Sequence, residues 1–118
     1  MYKKEILLIS GDKDFADSLC CPIQDEFDVD LAEDGILAVE MLKNKDYYMI
    51  LADEQCVDTS PLELLHRLSI IGIKEPIILT YQTEPKAEDI LIAFEFGALD
   101  VICRGGSFDE LVSAIKNK

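Results

Sequence analysis

Four short apolar runs, Ile6-Leu7-Leu8-Ile9, Met49-Ile50-Leu51-Ala52, Ile77-Ile78-Leu79 and Val101-Ile102-Cys103, each end on a polar group: Ser10-Gly11-Asp12, Asp53, Thr80 and Arg104. A carboxylate at the end of a buried strand, with a hydroxyl, a cation and further carboxylates beside it, has the parts for accepting a phosphoryl group. The Asp is the nucleophile, and the cationic groups neutralise the equatorial oxygens of the group in transfer. Asp53 is the candidate nucleophile, Arg104 the candidate cation and Thr80 the candidate hydroxyl. Other reactive side chains offer less. His66 is the single histidine and lies within a helical stretch whose buried stripe is set by Leu62 and Leu65, which makes it a surface residue. Cys20, Cys21, Cys56 and Cys103 form no C-x-x-C pair and no zinc spacing, and read as reduced, mostly buried thiols. Asp12 and Asp14 suit the first turn of a helix, where the dipole favours acids.

The elements that must position these groups alternate along the chain. The apolar runs, with a weaker one at Val29-Asp30-Leu31, are separated by helical patterns, which is the rhythm of a parallel α/β sheet covered on both faces. Ser60-Pro61-Leu62-Glu63 sets a cap, a first-turn proline and a capping-box acid in order, and Ser107-Phe108-Asp109-Glu110 repeats the box. Phe108, Leu111, Val112 and Ile115 recur at helical spacing, as do Ile36, Val39 and Leu42 after Gly35, so each set is expected to face the sheet. Pro22 kinks or stops the first helix. The expectation is five strands and five helices, with the functional groups at the carboxyl ends of the strands.

The 118 residues suit a single domain, 1–118, and 49% hydrophobic residues are ample for its core. A net charge of −13 argues against direct nucleic-acid binding, because phosphate backbones would repel it. The acids concentrate in residues 1–59, with 15 acids against 5 bases, whereas residues 60–118 hold 9 against 6. No apolar run approaches the length that spans a bilayer, and the start of the chain carries no signal-peptide pattern, so a cytoplasmic location is expected.

Taken end to end, the chain resembles the receiver domain of bacterial response regulators. Tyr48-Met49-Ile50-Leu51-Ala52-Asp53 is similar to the family's third strand with its phospho-acceptor, and Pro61-Leu62-Glu63-Leu64-Leu65 to its G-L-E-L-L helix start. Gly97-Ala98-Leu99-Asp100 resembles the step into its fifth strand, and Phe108-Asp109-Glu110-Leu111 the start of its last helix. The resemblance implies a flavodoxin-like, doubly wound sheet of strand order 2-1-3-4-5. It also implies a signalling module rather than an enzyme, with Asp53 at the phospho-acceptor position of a two-component phosphorelay. A histidine kinase or phosphotransfer protein would be the partner, and the face of the fourth helix, fifth strand and fifth helix would serve dimers or effectors.

The chain departs from the family at the places that carry the chemistry. Ser10-Gly11 stands where the family has an acidic pair for Mg²⁺, leaving Asp12, Asp53 and the Gln55 carbonyl as a weak ligand set. Arg104-Gly105 replaces the family's Lys-Pro, exchanging a point charge for a planar fork and removing a proline. Because the interval from Thr80 to Gly97 is two residues longer than the family's, Thr83 competes with Thr80 as the switch hydroxyl that the resemblance implies, and Tyr81 and Val101 replace the small residue and the aromatic of the usual relay. Two alternatives therefore stand beside the phosphorylated receiver. One is a pseudo-receiver that keeps the fold as a protein-interaction module. The other is a flavodoxin-like mononucleotide binder, which the single glycine and two acids of Ser10-Gly11-Asp12-Lys13-Asp14 disfavour. In the segment 89–96, Ile90, Ala93, Phe94 and Gly97 are expected on the sheet, which leaves Ile92 and Phe96 together as a spare apolar face for a partner.

Overall fold

Strands that are apolar on both faces require helices on both faces, and the computed structural model, which describes residues 3–56, 58–105 and 108–117, has that arrangement. The described residues form β1 (Lys4–Ile9), α1 (Lys13–Ile23), β2 (Phe27–Ala32), α2 (Gly35–Asn44), β3 (Met49–Asp53), α3 (Pro61–Ile70), β4 (Ile77–Tyr81), α4 (Ala87–Glu95), β5 (Asp100–Cys103) and α5 (Phe108–Lys116). The strands make one parallel sheet in the order β2-β1-β3-β4-β5. Among the described residues no helix is long and apolar enough to cross a membrane.

Alternation along each strand divides the interior into two cores. Ile6, Leu8, Met49, Leu51, Ile78 and Ile102 pack with Phe15 and Leu19 of α1 and with Leu111 and Ile115 of α5. Leu7, Ile9, Ile50, Ala52, Ile77 and Leu79 pack on the other side with Ala38 of α2, Leu64, Leu65 and Leu68 of α3, and Ala93 of α4. Each fully buried Leu or Ile contributes about 1.5–3 kcal/mol by leaving water, so a strand such as β1 is held chiefly by what lies above and below it.

The helix starts follow from local chemistry. Asp12, Asp34 and Ser60 accept hydrogen bonds from the N–H groups of Phe15, Leu37 and Glu63, satisfying donors that have no partner within the helix. Pro61 occupies the first turn of α3, where its missing N–H costs nothing. Glu63 departs from a reciprocal box, since its carboxylate accepts from the Thr59 hydroxyl at 3.0 Å. The second predicted box begins at Ser107, which lies outside the described residues. Pro22 is carried inside α1, which ends one residue later at Ile23.

Three expectations need correction. Ile36 is 68% exposed, because α2 turns its small residues Gly35 and Ala38 inward instead. A Cβ on Gly35 would stand 3.2 Å from Leu64 Cδ1 and from Arg67 Nη1, so the absence of a side chain there lets α2 approach α3. Phe94, assigned to the sheet, is 47% exposed, and α4 buries Ala93. Of the four thiols only Cys56 is buried; Cys20 and Cys103 are half-buried and Cys21 is exposed.

At the amino end of the sheet, Tyr47 is buried and its hydroxyl donates to Asp30 Oδ2 at 2.8 Å, with the Lys45 ammonium donating to the same oxygen at 2.9 Å. Burial, helped by the Asp30 carboxylate, pushes the Tyr47 hydroxyl up from 10.0 to about 12. The folded protein thus holds this proton to higher pH than the unfolded chain does. The resulting contribution to stability is complete below the unfolded value and declines as pH rises through about 12. Urea unfolding across this alkaline range should lose stability more steeply for the native chain than for Tyr47→Phe. Parallel curves would show that the hydroxyl ionises equally in both states.

Candidate functional site

Register and alternation bring four polar side chains to one point. Ser10, Asp53, Thr80 and Arg104 each lie two residues beyond a side chain of the α1–α5 core, namely Leu8, Leu51, Ile78 and Ile102, so all four face that side of the sheet. Ile9 is paired with Ala52 and Asp53 with Thr80, while the Arg104 N–H donates to the Tyr81 carbonyl at 2.7 Å. The ends of β1, β3, β4 and β5 are therefore level.

Asp53, Ser10 and Thr80 are each 0% exposed and Arg104 is 7% exposed. A carboxylate buried to this extent must be matched donor for donor. Oδ1 of Asp53 accepts from the Thr80 hydroxyl at 2.6 Å and from Arg104 Nε at 2.8 Å. Oδ2 accepts from the Ser10 hydroxyl at 2.8 Å, from Arg104 Nη2 at 3.0 Å and from the Gln55 N–H at 3.2 Å. Among the described residues no buried side-chain nitrogen or oxygen lacks a partner.

Arg104 is bound on its edge and on its face. Its Nη2 also donates to Asp12 Oδ2 at 3.0 Å, and its Cζ lies 3.9 Å from the centre of the Phe15 ring. Phe15 is in turn met edge-on by Phe108, with ring centres 5.6 Å apart. Burial works against the guanidinium charge, but hydrogen bonds and attraction from Asp53 and then Asp12 outweigh it and hold the Arg104 pKa above its ordinary value. Asp12 titrates below the usual carboxylate range, chiefly because its oxygen accepts the Phe15 N–H at the start of α1 and, against a desolvation cost, because Arg104 is beside it.

Asp12, Asp53, Gln55, Thr80 and Arg104 all lie at this end of the sheet, and Thr80 rather than the exposed Thr83 meets Asp53. Two participants escape sequence reasoning. Ser10 is marked in the sequence as a strand-end polar residue and as a lost carboxylate but not as a donor to Asp53, although its place two residues past Leu8 puts its hydroxyl on the same face. Phe15 belongs to no motif; its place three residues after Asp12, where its N–H meets the capping carboxylate, is the available signal.

The oxygens that could hold Mg²⁺ are already engaged by the protein. Besides both oxygens of Asp53, the Gln55 carbonyl accepts the Gly11 N–H at 2.7 Å, Asp12 Oδ1 caps α1 and Asp12 Oδ2 holds Arg104. Mg²⁺ requires near-octahedral oxygen ligation, and in this arrangement the residues present do not fit it. Among the described residues no group of three His, Cys, Asp or Glu side chains could hold a metal ion.

The architecture is that of the CheY-like receiver. The chain superposes on a CheY-like receiver domain from Methanospirillum hungatei with a TM-score of 0.85 and 20% identity, covering 98% of this chain and 93% of that one. It superposes on the response regulator TrrA of Thermotoga maritima, solved in complex with Mg²⁺ and BeF, with a TM-score of 0.82 and 23% identity, covering 97% of each. No protein-family model matches the chain. In sequence it is 32% identical over 114 residues to the cell cycle response regulator CtrA of Brucella ovis, covering 93% of this chain and 47% of that protein. It is 28% identical over 112 residues to the transcriptional regulatory protein DltR of Streptococcus agalactiae, covering 94% of this chain and 50% of that protein. The chain thus spans about half the length of the curated relatives it matches. In fold the chain is a CheY-like receiver, and in sequence it is similar to response regulators.

Proposed function

We propose that residues 1–118 act as one cytoplasmic receiver domain whose phospho-acceptor is Asp53, supplied by the phosphohistidine of a histidine kinase or phosphotransfer protein. One Asp53 oxygen attacks phosphorus as the P–N bond to the donor imidazole breaks, and the donor imidazole takes up a proton. The negative equatorial oxygens then meet the Arg104 N–H groups and the Thr80 and Ser10 hydroxyls. The observation supporting this reading is the convergence of those three donors on one buried carboxylate. The domain is a signalling module, not an enzyme, and its charge of −13 keeps it from contacting nucleic acid directly. Mg²⁺ at Asp12, Asp53 and Gln55 is weak or absent, so acetyl phosphate should label Asp53 feebly. Ser10→Asp/Gly11→Asp should label faster by at least about tenfold, the scale on which ligand-shell changes alter metal sites. Mass spectrometry of the labelled peptide provides the measurement. Equal labelling of both proteins would remove the argument from missing carboxylates.

Partners are taken to use the face of α4, β5 and α5. Leu91, Ile92, Phe94, Phe96 and Leu99 are all at least 37% exposed in this short region, which is more apolar surface than a covering helix needs. Phe96 stacks on His66 of α3 with ring centres 4.9 Å apart, which fixes its ring without burying it. Sedimentation should show self-association of the native chain that Ile92→Glu/Phe96→Glu abolishes. Monomeric behaviour of both proteins would rule out the homodimer and leave the effector.

A further inference from the structure

The receiver-domain pocket of this chain carries a cation of its own. The Arg104 guanidinium spans both Asp53 oxygens at 2.8 and 3.0 Å, reaches Asp12 Oδ2 at 3.0 Å with the same Nη2, and lies 3.9 Å from the Phe15 ring centre. Those carboxylates are the ones left to a divalent cation by Ser10 and Gly11. We propose that Arg104, on a platform made by Phe15, is the resident counter-ion of the pocket, and that guanidinium and divalent metal exclude one another there. The inference deepens the reading of Asp53 as phospho-acceptor and takes the identity of the site from it.

Three features of the pocket enforce this exclusion. First, the five donors on Asp53 exhaust the roughly four acceptor directions of a carboxylate, so a metal could take an oxygen only by displacing one of them. Second, a dication at Asp12 and Asp53 would stand within a few ångströms of the Arg104 guanidinium, whose side chain is 6% exposed, and like charges at that range repel. Third, the clamp depends on a planar group. A lysine ammonium could meet Asp53, but it could not bridge both oxygens, reach Asp12 and stack on Phe15 together. Phe15 matters because it is itself buried, 3% exposed, and met edge-on by Phe108.

The test is a Mg²⁺ titration of the full chain and of Arg104→Lys and Phe15→Leu, read by the amide shifts of Gly11 and Gln55 and by the melting temperature. The wild-type amides should show no saturable shift up to about 10 mM Mg²⁺, and the melting point should not move. Arg104→Lys, which keeps a charge beside Asp53 and so keeps the fold, should gain a saturable response at a concentration at least about tenfold lower than any in wild type. Phe15→Leu should respond between the two. Saturable binding by wild type with the same midpoint as Arg104→Lys would overturn the proposal, as would a failure of Arg104→Lys to respond at all. A Phe15→Leu profile identical to that of wild type would overturn the platform role. Acetyl phosphate labelling is a separate arm: a chain unlabelled in every variant defeats the acceptor reading, while the magnesium titration still decides between metal and guanidinium.

Discussion

Arg104→Leu is expected to cost about 3–5 kcal/mol of folding stability, the usual penalty for removing one partner of a buried ion pair. The loss would be a large share of the roughly 5–15 kcal/mol that holds a domain of this size together. The cost arises less from the attraction lost than from what remains. Asp53, 0% exposed, would keep only Ser10, Thr80 and the Gln55 N–H, none of them charged, and would have to stay ionised without a counter-ion or take up a proton. Urea unfolding should therefore show a lower midpoint with an unchanged slope, and the melting temperature should fall by about 10–20 °C. Adding Asp53→Asn to Arg104→Leu should recover part of the loss, because a neutral amide needs no counter-ion. A loss below about 1 kcal/mol would mean that the pair behaves as a solvated surface bridge, and the picture of a closed pocket would fail.

The second large effect concerns the residue after Arg104. A Cβ on Gly105 would stand 1.7 Å from the Gln82 carbonyl oxygen and 2.8 Å from the carbonyl carbon, separations that neither atom can tolerate. The obstacle is backbone, so no rotamer change relieves it, and the turn after β5 or the one after β4 must move. Gly105→Ala should thus cost at least the roughly 1–3 kcal/mol of an overpacked site. Gly105→Pro, which restores the residue found at this place in the family the chain resembles, should be no better, since proline also carries a Cβ. Because the Arg104 N–H is anchored to the Tyr81 carbonyl beside this contact, the shift should also disturb the amides of Gln55 and Gly11 through the guanidinium. Near-native stability for Gly105→Ala, with unchanged spectra, would show that the two turns are free to separate.

Much of this pocket is legible in the amino-acid sequence. Short apolar strands at regular intervals specify a parallel sheet, and side chains two apart on a strand face the same way. Asp53, Thr80 and Arg104 are thus bound to gather wherever the strand ends are level. The cap at Ser60 obeys rules that reach only three residues along the chain, which is why it too can be anticipated, whereas Asp12, expected in the first turn of α1, is found as its N-cap.

Other features depend on groups far apart in sequence. The rotation of α2 and α4 about their axes cannot be read from apolar spacing: Gly35 fits against α3, Ala93 fits against the sheet, and the larger Ile36 and Phe94 are turned outward. Helix periodicity names several candidate stripes, and close packing between helices selects one. The sequence sets Arg104 beside Asp53, but it does not show that the same guanidinium also holds Asp12, which it offers as a first-turn acid and a candidate metal ligand. Only the folded chain engages both with one guanidinium and lays its face on Phe15, because donors, acceptors and ring come from β5, β3 and α1, up to 92 residues apart. The residues at the strand ends are thus a matter of local pattern. Which of them neutralises which is decided by tertiary structure, since a buried charge takes whatever partner packing delivers to it.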